Sequence, residues 1–393
     1  MKEWKTYKLG DLINIQSGGT PNKAVSAYWG GNIPWISAKT MYVDFITDSD
    51  IHITEEGLKN GSKLAPVGSI LLLTRGSGLF NRIPVCLVKE AVAYNQDIKC
   101  ITVKDNSITS NTFIFFWLYS QKELLSGILE TTGIGAGKID SGRLLDINVT
   151  LPDIETQNKF TLLCSSIFEK IEINKQINDN LEQQAQAAFN NIIANTTSDK
   201  TVRLSEIAWL NPKRSISKGK VARSIEMAHL PTTGSFPSGW EMKEYNGGMK
   251  FQNGDTLMAR ITPCLENGKV AFVNFLEDDE IAFGSTEYIT MTPKRQFAPE
   301  VLYFLVRNAE FIDFAVKNMN GSSGRQRVSA DTIGTYELPD ITLEELHMLE
   351  TIAREALTKI KYNSLENMRL ADMRDTLLPK LMSGELKINE IDC

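Results

Sequence analysis

Residues 160–192 read FTLLCSSIFEKIEINKQINDNLEQQAQAAFNNI, and residues 349–381 read LETIAREALTKIKYNSLENMRLADMRDTLLPKL. In the first stretch a 4,3-spaced seam runs through Phe160, Cys164, Ile167, Ile171, Asn174, Asn178, Leu181, Ala185, Ala188 and Ile192. Adding 189 to each number gives Leu349, Ala353, Ala356, Ile360, Asn363, Asn367, Leu370, Arg374, Leu377 and Leu381. Sustained heptad spacing marks helices packed on one another. An amphipathic helix bound only to its own domain would match its counterpart loosely, without repeating the interruption by two asparagines. Asparagine at a seam costs stability but fixes register. The pattern therefore predicts two long antiparallel helices in a coiled coil, paired through Ile167, Ile171, Asn174, Asn178 and Leu181 on one and Ile360, Asn363, Asn367 and Leu370 on the other. At 1.5 Å per residue, a helix of ~40 residues is ~60 Å long, enough to space two modules.

The repeat extends outward from the helices. Leu151-Pro152-Asp153-Ile154 recurs as Leu338-Pro339-Asp340-Ile341, each copy after a Gly-rich stretch with a basic residue (Gly133–Lys138; Gly321–Arg325). Gly68–Arg75 resembles Gly254–Arg260, in both of which a glycine leads into an apolar strand ending on arginine. Lys5–Leu9 matches Lys200–Leu204. Shared order along the chain makes this one plan used twice. Strands are expected at Ile33–Ser37, Ser69–Thr74, Val85–Val88 and Ile98–Val103, and again at Asp255–Met258, Val270–Phe275 and Glu287–Met291. Helices are expected at Asn111–Ser126 and near Ala298–Lys317. The fold class is mixed α/β (α+β) with a pseudo-twofold internal repeat. Its predicted limits are 1–152 and 198–339 for the globular modules, 153–197 and 340–386 for the helices, and 387–393 for a tail.

Composition sets outer bounds. With 393 residues, 42% hydrophobic and 23% charged, the chain is long enough for two or three folded domains. Its longest apolar runs, Ser69–Thr74 and Phe113–Tyr119, fall far short of a membrane span. Met1–Leu9 is polar and unlike a signal peptide. Five scattered cysteines (Cys86, Cys100, Cys164, Cys264, Cys393) form no Cys-x-x-Cys pair, which argues against structural zinc and fits a reducing cytoplasm. The net charge is −6. Residues 153–197 carry three basic against six acidic groups and residues 340–393 seven against eleven, together −7, which leaves +1 on the globular parts. Basic clusters such as Lys213, Arg214, Lys218, Lys220 and Arg223 sit there, and binding to a polyanion depends on a local patch.

Catalytic signatures are wanting. There is no Gly-x-x-x-x-Gly-Lys-[Ser/Thr] loop and no dinucleotide fingerprint. The aromatic tetrad of an amino-methyltransferase is absent too; Asn211-Pro212-Lys213 reads as a loop. His52, His229 and His347 are too dispersed for a metal site or triad. Glu385-Leu386-Lys387 echoes a nuclease Glu-x-Lys, a triplet that also arises by chance. Residues suited to DNA are more numerous. Arg75 and Arg260 end repeated strands, while Lys138 and Arg325-Gln326-Arg327 precede the last strand of each module. Arg143 and Gln96 lie nearby in sequence, and Ser285-Thr286-Glu287 corresponds to the Gln96 segment. Arginine offers a fork to guanine or phosphate, and glutamine can bond adenine. A solvated surface charge or a structural ion pair is the bland alternative for each.

Several runs carry a family resemblance. They are Leu9-Gly10-Asp11 leading to Gly18-Gly19-Thr20-Pro21, Pro34-Trp35-Ile36-Ser37, Gly254–Arg260, Leu151–Glu155, and Leu377-Leu378-Pro379-Lys380-Leu381-Met382-Ser383-Gly384-Glu385-Leu386. On these the chain resembles the specificity subunits of type I restriction–modification systems. The resemblance implies two target-recognition domains, each reading half of a bipartite double-stranded DNA site, with the paired helices as ruler and docking surface. It implies no cofactor and no catalysis in this chain. S-adenosylmethionine, ATP and Mg are expected on partners: two methyltransferase (modification) subunits and the restriction subunits. The first helix lacks the Leu-Pro-Lys-Leu ending of the second, so the docking surfaces need not be equivalent. A specificity subunit of a fused type II-like system, a nuclease acting alone, and a scaffold without a DNA role are the competing readings.

Overall fold

The computed structural model describes residues 4–386 except 134, 197, 295, 296 and 323. The predicted tail 387–393 and Lys387 of the Glu-x-Lys triplet lie outside the described residues. Two long helices, Ile154–Asn195 and Leu343–Ser383, account for most of the helical content. Their first residues differ by the same 189 that relates the seams. Both starts are capped by a side chain that satisfies an otherwise unbonded first-turn N–H. Asp153 Oδ1 accepts from the Thr156 N–H at 3.0 Å, and Thr342 forms a capping box with Glu345. The chain divides into two compact units, residues 1–170 with 370–393, and residues 171–369, so the division falls inside both helices.

In the first unit a five-stranded sheet is ordered Ile13–Ser17, Ile98–Val103, Ile70–Leu73, Val85–Val88, Phe45–Ile46. A four-stranded sheet is ordered His52–Ile53, Trp29–Ile36, Val92–Tyr94, Lys63–Ala65. The second unit has four-stranded counterparts. One is ordered Ala208–Leu210, Tyr288–Pro293, Thr256–Ala259, Val270–Phe272, and the other Glu241–Glu244, Val221–Ile225, Ala282–Gly284, Met249–Phe251. Registers repeat too. Leu71 lies between Cys100 and Cys86 as Leu257 lies between Thr290 and Ala271. Tyr94 runs parallel to Ile36 as Gly284 does to Ile225. The Gly18-Gly19 pair is required where the chain crosses this sheet: a Cβ on Gly18 would stand 2.1 Å from the Tyr94 carbonyl oxygen.

Three sequence expectations need correction. The segments expected as single helices are each two: Asn111–Ser120 then Lys122–Gly127, and Pro299–Arg307 then Ala309–Lys317. Asn308 is extended (φ −63°, ψ 137°) and caps the second of these by accepting from the Glu310 and Phe311 N–H groups, a stop signal that outweighs the apolar periodicity. The spacing of Phe113, Phe116, Trp117, Tyr119 and Leu124 predicts an aromatic face on the first of these segments, but residues 113–119 are buried all round and no separate face exists. The two Leu-Pro-Asp-Ile copies are out of register: Leu338 pairs with Val202 at the place where Val149 pairs with Tyr7, two residues earlier than the motif match implies.

The seam is wider than one heptad stripe. Phe168 and Leu357, each one residue past a seam position, are buried, as are Phe189 and Leu378. Phe168 packs edge-on against Phe115 and Tyr119 within the first unit's core, which also takes in Phe160, Cys164, Leu378, Leu381 and Met382. Ala185, Phe189, Leu349, Ala353, Ala356, Leu357 and Ile360 belong to the second unit's core. Ile167 and Leu377 line a small apolar recess with Arg374, while Leu181 and Leu370 are half-buried. Near the modules each helix therefore serves two packings at once, and a 3.5-residue stripe broadens to cover both.

Between those ends the asparagines meet. Asn174 Nδ2 donates to Asn367 Oδ1 at 2.9 Å, and Asn363 Nδ2 donates to Asn178 Oδ1 at 2.8 Å. Asn174 also reaches Glu366 at 2.7 Å, Asn178 donates to Ser364 Oγ at 3.2 Å, and Asn367 donates to the Ile171 carbonyl at 3.2 Å. The first asparagine of each helix bonds the second of the other, so the helices run antiparallel and the repeat's symmetry is preserved. Asn174 and Asn363 are buried, which makes any misaligned pairing strand their amides without partners.

Candidate nucleic-acid interface

In the first unit the strand Ile70–Leu73 continues through Thr74 into the short strand Arg75–Gly76. That strand pairs with Gly137–Ile139, setting Arg75 opposite Lys138 and Gly76 opposite Gly137. Thr74 is held by the Asp97 carbonyl, which accepts from its N–H at 2.8 Å and from its hydroxyl at 3.0 Å. Among the described residues neither Arg75 nor Lys138 has an ion-pair partner, and Arg75 is exposed. Arg143 is engaged, with Nη1 3.2 Å from Glu130 Oε1, and Glu130 stands opposite Lys138 on the next strand. Gln96 is exposed beside Asp97, and its Oε1 accepts from Thr20 Oγ1 at 2.6 Å. The four candidates of this unit thus share one edge, two of them free and two bonded.

The second unit builds the same corner differently. Val328 donates to the Arg260 carbonyl as Ile139 does to that of Thr74, and Arg260 donates to the Glu287 carbonyl as Thr74 does to that of Asp97. Arg260 is therefore the counterpart of Thr74, and Arg75 corresponds to Ile261. The expected Arg75–Arg260 equivalence is wrong by one residue, and in a strand that shift turns the side chain to the opposite face. By the same register Arg327, bridged to Ile261, stands where Lys138 does, and Glu287 stands where Asp97 does. Glu287 receives Arg327 Nε at 3.0 and 2.9 Å and Nη2 at 2.8 Å, and lies 4.0 Å from Arg260 Nε. Bonds from Arg327 hold its carboxyl below the ordinary glutamate value, overcoming a smaller opposing effect of burial. Arg325 is exposed and Gln326 half-exposed beside this cluster.

Two members of the basic cluster at 213–223 turn inward instead. The Arg214 side chain is 7% exposed and bonds Asp255 Oδ1 at 2.8 Å, Thr292 Oγ1 at 2.9 Å and Gln252 Oε1 at 3.0 Å. Arg223 stacks on Trp240 and pairs with Glu277 and Glu280. Their role is structural, and charge counting alone could not separate them from surface cations. The residues missed in sequence were Glu130, Asp97 through its carbonyl, and the clamp formed by Glu287. Each acts on a partner distant in sequence, so no local signal marks it. No group of three or more His, Cys, Asp or Glu side chains among the described residues is placed to hold a metal ion.

Two copies of one α/β plan, each with cations gathered where a buried strand leaves its sheet, and a pair of long helices define a two-module recognition protein. Residues 1–183 match the model of the type I restriction modification DNA specificity domain. The type I restriction enzyme MjaIX specificity subunit of Methanocaldococcus jannaschii is 25% identical over 99% of this chain and 95% of its own length. The HindI specificity subunit of Haemophilus influenzae is 21% identical over 98% and 100%. The crystal structure of a type I restriction–modification S subunit from M. genitalium superposes with a TM-score of 0.62 at 15% identity, covering 96% of each chain. Over nearly its whole length the chain is thus similar to type I restriction–modification specificity subunits.

Proposed function

We propose that this chain gives a type I restriction–modification enzyme its DNA sequence specificity. Each unit binds one half of a bipartite double-stranded site, and the asparagine-registered helices couple the two. The observation that carries this reading is the corner repeated in both units, with Arg75 and Lys138 in one and Arg260, Arg325, Gln326 and Arg327 in the other. Arginine and glutamine read base edges, and lysine engages phosphate. Arg143 and Gln96 serve as supporting contacts, since internal bonds already hold them. The chain itself performs no chemistry. Two methyltransferase subunits, and through them restriction subunits, dock on the helices and supply methylation, translocation and cleavage.

Methylome sequencing of a host with and without this chain tests the proposal. A two-part methylated motif should vanish when the chain is removed and return when it is restored. Persistence of that motif without the chain would sink the reading, as would specific methylation by the modification subunit alone.

A further inference from the structure

We infer that Glu287 is a positioning residue for base reading, holding Arg327 so that its terminal edge meets a guanine in the half-site bound by the second unit. The inference rests on the function proposed above and deepens it. Glu287 is fixed at its backbone: its N–H donates to Ser285 Oγ at 3.1 Å, and its carbonyl accepts from the Arg260 N–H at 3.0 Å. Its two carboxylate oxygens take the Nε and Nη2 side of Arg327. Arg327 Nη1 donates to the Arg325 carbonyl at 3.2 Å, and the Arg327 backbone exchanges two 2.9 Å bonds with Asn320. A guanidinium has five N–H donors. Three are engaged here, leaving one on each terminal nitrogen, the fork that fits guanine O6 and N7.

Stability does not account for this arrangement. The Arg327 side chain is 40% exposed, and an ion pair so open to water contributes little to folding. Ordering an exposed arginine in one conformation is what a recognition contact needs from its supporting residues. Arg260 adds a second positive charge beside the carboxylate, with its Nε buried and, among the described residues, without a hydrogen-bond partner. The fold does not demand the clamp either. At the same register the first unit has Thr74, Lys138 and Asp97, where lysine has no fork and, among the described residues, the Asp97 carboxylate is approached only by the side chain of its neighbour Gln96 at 3.5 Å. The difference falls where two halves of an asymmetric site would be told apart.

The test uses the full chain assembled with its methyltransferase subunits, and methylation of DNA libraries randomised one position at a time. The wild-type assembly is scored first, and if it yields no bipartite motif the underlying reading fails, not this one. Glu287→Gln and Arg327→Lys should relax one and the same G·C position in one half-site by about 10- to 100-fold. The other half-site and the slope of affinity against salt should stay unchanged, and Glu287→Asp should restore part of the preference. A uniform loss at all positions with a shallower salt slope would make Arg327 a phosphate contact and overturn the inference. An unchanged motif in Arg327→Lys with only a lowered unfolding temperature would reduce the pair to a structural one. Relaxation at an A·T position would also overturn it.

Discussion

Arg214 carries its charge into the second unit's interior, where its partner Asp255 is fully buried. Burial pushes the Asp255 carboxyl above its ordinary value, while Arg214 and the Thr292 hydroxyl act in the opposite direction. Removing one partner of such a pair leaves a charge in a poor solvent, at about 3–5 kcal/mol. Arg214→Ala should therefore lower the denaturant midpoint strongly, and adding Asp255→Ala should recover much of the loss. A double variant no more stable than the single one would show that the pair is not coupled. The surface pair behaves differently with pH. Because Arg327 holds the Glu287 carboxyl below its unfolded value, the pair's contribution is present above the ordinary carboxylate range and is lost as pH falls through the depressed value. Thermal melts of wild type and Glu287→Gln should differ only slightly at neutral pH, as an exposed pair allows, and converge in acid. Residues of this kind were only half legible: the arginines stood out in sequence, but their carboxylates came from 41 and 40 positions away.

The long helices were the most legible elements, because a heptad pattern states both the element and its partner. Asn174 and Asn363 were readable as register devices, and the hydrogen bonds give that reading its geometry. Asn174→Ala deprives the Asn367 carbonyl oxygen of its donor, which should destabilise by about 1–3 kcal/mol. Replacing all four asparagines by leucine should instead leave stability equal or higher while loosening alignment. Cysteines placed at Ile171 and Leu370 neighbours would report this: wild type should trap one disulfide pairing and the leucine variant several. A single pairing in both would show that the asparagines do not set register. Other elements were harder to read. Strands such as Val92–Tyr94 and Ala282–Gly284 are three residues long and wholly buried, so they show neither alternation nor length. The one-residue offset between Arg75 and Arg260 was invisible for a similar reason, since adjacent apolar residues can be aligned either way.

At the scale of the whole molecule, a net charge of −6 is compatible with the proposed DNA-binding role because the excess of acidic residues lies in the helical segments. Binding to phosphate should then be the work of few cations. Arg75→Ala with Lys138→Ala should reduce the slope of log affinity against log salt by about 2, with the methylated motif retained. Titration of the assembled complex with duplex DNA at several salt concentrations measures this, and an unaltered slope would remove both residues from the interface. The double-module plan was legible from ordered matches along the chain. The exact correspondence of residues was not, because insertions of one or two positions shift each strand independently.

The division of the chain inside its long helices has a bearing on how the protein comes into being. The first unit's core includes Leu378, Leu381 and Met382, side chains synthesised only after the whole of the second unit. As the polypeptide grows, the second unit has all of its own residues in hand while Phe160, Cys164 and Phe168 of the first still lack the part of their core that Leu378, Leu381 and Met382 supply. The unit whose strands come earlier in the sequence is thus finished after the later one, and the order of assembly runs against the order of translation.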